Sequence, residues 1–183
     1  MNRCARRMSV RGQNGFSMIE VLVTLVIVAF ALLGLAGFIT RANAMGLESN
    51  QRARALALME DMAERIRSNK AQAANYVSDT IVRGGAVVDC TGLAGVDRDL
   101  CEWNNVLYGT NDALTANPTN QTLRFRGCVT RPYVGQPVYV VTVAWGSLMA
   151  GTPPADGCAT GNFGGDAYRR VVRTQVRVPT LAA

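Results

Sequence analysis

The sequence Gly15-Phe16-Ser17-Met18-Ile19-Glu20 begins the apolar run that decides the fold of this chain. From Phe16 to Ile39 the only charged residue is Glu20. A helix over these residues would be about 36 Å long, enough to cross a hydrocarbon core of about 30 Å. We therefore predict a transmembrane helix over residues 16–39.

Glu20 lies where an ionised side chain is costly. A carboxylate in the hydrocarbon region of a bilayer is unfavourable unless it has a partner, so it indicates a functional site. The alternative is a tolerated polar residue near the end of an ordinary anchor. The specific residues around Glu20 favour the functional interpretation.

These residues resemble the class III signal of type IV pilins and pseudopilins, which here is Gly15-Phe16-Ser17-Met18-Ile19-Glu20-Val21-Leu22-Val23. The resemblance implies that an inner-membrane prepilin peptidase cuts between Gly15 and Phe16 and that Phe16 becomes N-methylated. It also implies that Glu20 acts in assembly. The Glu20 carboxylate of an incoming subunit would pair with the Phe16 ammonium of a neighbour and thereby set the axial register.

The leader, residues 1–15, carries only positive charge. It contains no acidic residue and four arginines, Arg3, Arg6, Arg7 and Arg11. This charge predicts a cytoplasmic location. A secretory signal is cut after its apolar core, whereas the cut proposed here precedes the apolar run, which stays in the mature protein. Met8 is an alternative start to Met1.

Composition limits the function classes. Removing the leader arginines lowers the formal net charge from +6 to +2, so the basicity is no nucleic-acid signature. The chain has no histidine, the commonest general base and metal ligand. We therefore predict no enzymatic activity, no cofactor and no metal site. The length, 183 residues, suits one membrane-anchored domain.

Four cysteines remain once Cys4 leaves with the leader: Cys90, Cys101, Cys128 and Cys158. An even number outside the cytoplasm indicates two disulfides, for which three pairings exist. We favour Cys90 with Cys101 and Cys128 with Cys158, because pairs of sequence neighbours need least coordination. Zinc is the alternative, but these spacings lack the close pairs of structural zinc sites.

The helix is predicted to continue over residues 40–70, which contain no proline. Apolar residues recur at helical steps at Ala55, Leu58, Met59, Met62 and Ile66, and opposite them lie Glu60, Glu64 and Arg67. This stripe should pack on a globular domain. One helix of roughly 55 residues from Phe16 would be about 80 Å long, which suits a filament subunit.

A second resemblance covers the segment from Leu56 to Asn69, which is similar to PilV-type minor pilins in its Asp61-Met62-Ala63-Glu64-Arg65-Ile66-Arg67-Ser68-Asn69 sequence. Major pilins usually have a proline where this chain has Gly37. The anchor therefore lacks a proline kink, although Gly34 and Gly37 permit bending.

The remaining residues, 71–183, are predicted to form the periplasmic globular domain. Residues 71–121 show no sustained period, and we interpret them as an irregular αβ loop anchored to the core by Trp103 and Tyr108. Three strands are predicted by alternation or apolar runs, at 122–131, 138–145 and 168–178. The predicted fold is α+β and pilin-like, with the long helix packed on an antiparallel sheet of about three or four strands.

Two features have competing interpretations. The basic set Arg124, Arg126, Arg169, Arg170, Arg173 and Arg177 would suit DNA binding, but we favour the solvated face of a sheet. The loop from Thr152 to Asp166 contains Asp156 and Asn162, whose oxygens would suit calcium, but its spacing favours a plain loop bounded by a disulfide.

These resemblances imply a minor pilin of a type IV pilus that helps to prime assembly at or near the pilus tip and supports adhesion and twitching motility. The implied partners are other minor pilins, the major pilin, the prepilin peptidase, the inner-membrane assembly platform and a tip adhesin, with no nucleic acid. The protein would lie first in the inner membrane and then in the extracellular pilus. The alternatives are a pseudopilin of a type II secretion system and an uncleaved anchor carrying a periplasmic binding module.

Overall fold

The structure, a computed structural model, describes residues 15–78, 83–109, 124–133 and 135–179. Its helices are α1 (Met18–Ser68) and α2 (Gly95–Tyr108), and its strands are β1 (Arg126–Thr130), β2 (Val138–Gly146) and β3 (Arg169–Arg177). Short 3-10 helices cover Lys70–Tyr76 and Asp166–Tyr168. The chain divides into two compact units, one that ends at Asn43 and one that begins at Ala44.

Helix α1 begins at the apolar run. The Ser17 carbonyl accepts hydrogen bonds from the backbone nitrogens of Glu20 and Val21, at 3.0 and 3.3 Å. The most apolar 18-residue window of α1 has a mean hydropathy of 2.8, and none of it is buried. By length and composition α1 is able to cross a membrane.

Beyond Ala44, α1 buries one face. The buried residues are Gln51, Ala55, Met59, Met62, Ala63 and Ile66. Leu58 is partly buried against the same core. The predicted apolar stripe is therefore confirmed, and the outward Glu60 and Glu64 carboxylates both pair with the Arg67 guanidinium.

The three strands form one antiparallel sheet in the order β1-β2-β3. Val141 of β2 lies opposite Val129 of β1 and Thr174 of β3. Every residue of β2 is buried, which explains its nearly continuous apolar sequence. The predicted α+β fold with an antiparallel sheet of about three or four strands is confirmed, and the described residues form three of them. Thr122 and Leu123 of the first predicted strand lie outside the described residues.

The interpretation of residues 71–121 as an irregular loop was wrong where α2 and the first 3-10 helix form. Helix α2 buries Val96, Leu100, Trp103 and Leu107, which recur at steps of four, three and four residues. The helix ends at Tyr108 and is followed by Gly109, whose φ of 95° is favourable for glycine. The helical period was thus present in the sequence, within a segment rich in polar residues.

Trp103 joins three elements of the core. Its indole Nε1 donates to the Leu58 carbonyl of α1 at 2.9 Å, and its side chain is fully buried. A Cβ on Gly127 of β1 would lie 2.2 Å from Trp103 Cη2, so only glycine fits beneath the indole. The predicted anchoring role of Trp103 is confirmed. Tyr108 is half-buried, with the Arg124 guanidinium 4.3 Å from its ring centroid.

Candidate processing and assembly site

The predicted processing site lies in the short segment before α1. Gly15 to Ser17 have no helical structure, and a Cβ on Gly15 would have nothing within 4 Å. The Phe16 side chain is 84% exposed. Nothing in the described part of the chain therefore covers the bond between Gly15 and Phe16.

Glu20 lies in the first turn of α1 and is exposed. An acidic side chain at this end of a helix is favourable because the exposed backbone N–H groups carry partial positive charge. The structure thus places Gly15, Phe16 and Glu20 together at the start of one helix.

The surface of α1 that follows is apolar on all sides. The large apolar side chains from Phe16 to Ile39 are between 48% and 84% exposed. A continuous apolar surface of this kind requires lipid or protein to cover it. The segment therefore suits both a bilayer and the apolar interior of an assembly.

The cysteines form Cys90–Cys101 and Cys128–Cys158 disulfides, with Cα separations of 5.7 and 5.9 Å. These are the pairs that the sequence analysis favoured. The first ties the segment before α2 to that helix, and the second ties β1 to the loop before β3. Among the described residues, no group of three or more His, Cys, Asp or Glu side chains is placed to hold a metal.

Arg65 of α1 is the centre of an ion cluster that the sequence analysis did not identify. Its guanidinium lies 3.1 Å from carboxylate oxygens of Asp61, Asp99 and Glu102. Asp99 and Glu102 belong to α2, so the cluster fastens α2 to α1. The sequence feature that could have predicted this cluster is the four-residue spacing of Asp61, Arg65 and Asn69, which places three polar side chains on one side of the helix.

Tyr76 extends this cluster. Its hydroxyl donates to the Asp99 carboxylate and accepts from Asn69 Nδ2 at 3.4 Å. Burial, together with the hydrogen bond to Asp99, raises the pKa of Tyr76 to about 12. The guanidinium of Arg98, followed by that of Arg65, lowers the pKa of Glu102. Arg65 and Tyr76 therefore both position α2 through Asp99.

Arg169 organises the loop that was considered for calcium. The guanidinium donates to the carbonyls of Pro154, Asp156 and Cys158 at 3.1, 2.6 and 3.0 Å. It also lies 3.1 Å from the Asp166 carboxylate. The oxygens of this loop therefore surround the Arg169 guanidinium, a cation that belongs to the chain.

The interpretation of the basic set as one solvated sheet face was wrong for part of that set. Arg169 and Arg124 are only 2% and 8% exposed. Arg173 and Arg177 are exposed, as predicted. For Arg169 the difference arises because a loop folds over its end of β3, which the alternation of the strand residues does not show. Arg124 instead stacks on the Tyr108 ring.

Comparison with known proteins gives two family matches. Residues 10–36 match the prokaryotic N-terminal methylation motif, and residues 39–94 match the family of the type IV pilin Tt1218. No curated protein matches the chain. No solved structure matches it either.

The two matches cover the features of the first half of the chain. The first includes Gly15, Phe16 and Glu20, and the second includes the buried stripe of α1, Arg65 and Tyr76. They imply processing by a prepilin peptidase, membrane anchoring and a structural role in assembly with other pilins. Together with the α+β fold, they support the assignment of this chain to the type IV pilin superfamily.

Proposed function

We propose that this chain is a minor pilin of a type IV pilus. It is cut between Gly15 and Phe16, methylated on Phe16, and helps to prime assembly with other minor pilins at or near the pilus tip. The observation that carries the proposal is the Gly15–Phe16 bond directly before an apolar helix, a bond that no described residue covers. The similarity of residues 56–69 to minor pilins favours the pilus over a secretion system.

The proposal gives the two halves of the chain separate tasks. Before assembly, residues 16–39 lie in the inner membrane and the unit from Ala44 lies in the periplasm, where its two disulfides form. On extraction from the bilayer, Glu20 meets the Phe16 ammonium of a neighbouring subunit. This pair offsets two charges that are each poorly solvated in an apolar filament interior.

Gly15→Ala tests processing. We expect a full-length precursor in the inner membrane, because the peptidase subsite accommodates little more than a hydrogen at this position. Intact mass and N-terminal sequencing of the membrane form measure the result. Gly46→Ala is a matched control, since a Cβ there would also have nothing within 4 Å. A wild-type chain that retains residues 1–15 would instead identify an uncleaved anchor.

Glu20→Ala tests assembly separately from processing. We expect a mature, methylated subunit, because cleavage depends chiefly on Gly15 and its neighbours. We also expect few surface pili and poor twitching, because a neighbour's ammonium loses its partner. Thr24→Ala, which removes a polar group one turn later, should leave piliation unchanged.

Immunoblots of membrane and sheared pilus fractions, together with motility assays, measure both results. Normal piliation in the Glu20→Ala strain would contradict the assembly role of this carboxylate. Normal pili combined with a defect in protein secretion would identify a pseudopilin.

A further inference from the structure

Strand β3 lies at one edge of the sheet, and its outer side has no partner within the described chain. The sheet order is β1-β2-β3, so β3 pairs with β2 on one side only. The opposite edge is different, because Gly127 of β1 exchanges two backbone hydrogen bonds with Arg83, at 2.8 and 3.1 Å. An uncovered strand edge presents a row of backbone donors and acceptors to which another chain is able to pair.

The hydrogen bonds at the two ends of β3 show which of its backbone groups face outwards. The Tyr168 carbonyl accepts from the Ser147 nitrogen at 2.7 Å, and the Val178 nitrogen donates to the Pro137 carbonyl at 2.9 Å. In an antiparallel pair, residues that exchange hydrogen bonds alternate with residues whose N–H and C=O groups point away from the partner. In the register of β2 with β3, the even-numbered residues of β3 therefore bond to β2 and the odd-numbered residues point outwards.

The outward backbone groups of β3 are uncovered beyond its first residue. The Arg169 carbonyl accepts a hydrogen bond from the Arg170 guanidinium at 3.2 Å. In the described part of the chain, no hydrogen bond reaches the outward N–H or C=O groups of the next odd-numbered residues. These residues, which form the free edge of β3, are Val171, Arg173, Gln175 and Arg177.

The side chains along the free edge are cationic. Arg173 and Arg177 are exposed, and neither makes an ion pair or a side-chain hydrogen bond with another described residue. They lie on one face of the sheet, because alternate residues of a strand share a face. On the other face, Val172 is only partly buried against the core, and Val176 belongs to that core. An added strand would therefore meet positive charge on one face and apolar side chains on the other.

This charge disfavours β3 of a second copy as the partner. If two β3 strands paired antiparallel about Gln175, Arg173 of each would lie opposite Arg177 of the other. Like charges directly opposite each other in a sheet are destabilising. Arginines on the edge strand thus oppose pairing of β3 with itself, while its backbone groups stay available. The complementary strand therefore belongs to a different protein and carries acidic side chains.

We propose that the free edge of β3 binds an extended acidic segment of another protein, which adds one strand to the sheet. Backbone hydrogen bonds to the free edge supply affinity, and carboxylates opposite Arg173 and Arg177 select the partner. These carboxylates are four residues apart in the partner, because the two arginines are four residues apart in β3. Apolar residues at the alternate positions extend the core beside Val172.

Amide hydrogen exchange of the full chain in detergent, measured residue by residue by NMR, tests the proposal. The probe is the peptide Thr-Val-Glu-Val-Thr-Val-Glu-Val-Thr, which is N-methylated at its valines so that it hydrogen-bonds along one edge only. Without peptide, the free-edge amides should exchange fast and those of Val172, Thr174 and Val176 slowly. The peptide should slow exchange of the free-edge amides about tenfold, the effect of one hydrogen bond each, and leave the other amides unchanged.

Exchanging the charges tests how the partner is selected. Arg173→Gln and Arg177→Gln should each weaken peptide binding about two- to fivefold, the loss of one cross-strand pair. Arg173→Glu combined with Arg177→Glu should reverse the preference, so that a peptide with lysine in place of glutamate binds better. Arg52→Gln is the matched control, because Arg52 is exposed on α1 and also makes no ion pair within the described chain.

Gln175→Pro tests the backbone contact. Proline has no N–H group, and an edge strand tolerates it where the N–H would face solvent. This variant should keep the sheet, because the outward N–H of Gln175 has no partner within the described chain. It should bind the glutamate peptide at least about tenfold more weakly. Gln175→Ala retains the N–H group and should bind the peptide as the wild type does.

Three results would each overturn the proposal. Slow exchange of the free-edge amides in the isolated chain would show that the edge is already covered. Protection that appears with rising protein concentration and no peptide would identify pairing between copies. Equal protection by the glutamate and lysine peptides would show that the arginines do not select the partner. The measurement needs no filament, so its failure is distinguishable from failure of the minor-pilin assignment.

Discussion

Tyr76 illustrates how one side chain depends on groups far from it in the sequence. Its ring is fully buried, and its hydroxyl donates to Asp99, a carboxylate that Arg65 also holds. In this buried position the phenolate would be poorly solvated, and ionising the phenol would also place a second anion beside Asp99. Both effects favour the neutral phenol and raise its pKa to about 12.

The raised pKa predicts a loss of stability in alkaline solution. In the unfolded chain Tyr76 titrates near the reference value of about 10, below its folded value. The stabilisation from this group is therefore complete below pH 10 and is lost as the pH rises through 12. A shift of this size corresponds to about 2–3 kcal/mol.

Denaturant unfolding of the wild type and of Tyr76→Phe, measured between pH 8 and about pH 12, checks this prediction. Phenylalanine keeps the ring in the core but cannot ionise. We expect the free energy of unfolding of the wild type to fall, relative to the variant, only above about pH 10. A constant difference across this range would show that Tyr76 does not control the alkaline transition.

Between elements, the contact of α1 with α2 depends on Arg65 as well as on the apolar core. Arg65 neutralises acidic groups from both helices in a partly buried position, whereas Arg67 pairs with Glu60 and Glu64 on the outer side of α1 alone. The two arginines are two residues apart in one helix. They therefore form a matched pair for testing which ion pairs matter.

Arg65→Gln should destabilise the second unit by about 1–3 kcal/mol, because Asp99 and Glu102 lose their shared cation. Arg67→Gln should cost only about 0–1 kcal/mol, since exposed ion pairs contribute little. Unfolding free energies and amide exchange in α2 measure the difference. Equal costs for the two variants would show that the cluster does not fasten α2.

Across the whole molecule, the two disulfides close loops of different size. Cys90 and Cys101 are 11 residues apart, and Cys128 and Cys158 are 30 residues apart. The longer loop includes β2, so its bridge restricts more of the unfolded chain. Loop entropy alone predicts that the Cys128–Cys158 bridge stabilises more, by about 0.9 kcal/mol.

Paired serine variants check this ranking. Cys128→Ser with Cys158→Ser should cost about 2–5 kcal/mol and lower the steady-state level of the protein. Cys90→Ser with Cys101→Ser should cost less. Denaturant unfolding of the two double variants gives the comparison, and the reverse order would mean that native contacts of the bridges outweigh loop entropy.

Local patterns in the sequence were sufficient to predict α1, its buried face and the strands. The apolar run, the stripe from Ala55 to Ile66 and the alternation of β3 are properties of neighbouring residues, which a helix or strand displays directly. Disulfide pairing between sequence neighbours follows from the same locality. The helical period of the apolar residues of α2 was also present in the sequence, but it was missed because most of the residues around it are polar.

Only the tertiary structure decided which polar groups meet. Arg65 donates hydrogen bonds to Asp99 and Glu102, which are more than thirty residues away in the sequence. The Arg169 guanidinium is enclosed by carbonyls of a preceding loop. The buried indole Nε1 of Trp145 likewise has no hydrogen-bond partner among the described residues, which the sequence does not reveal. Periodicity indicates which side of an element is apolar, whereas the partner of a charge or donor depends on how separate elements pack. For this reason the sequence by itself determined the long apolar helix and the fold class, and tertiary packing determined the ion cluster around Arg65 and the enclosure of Arg169.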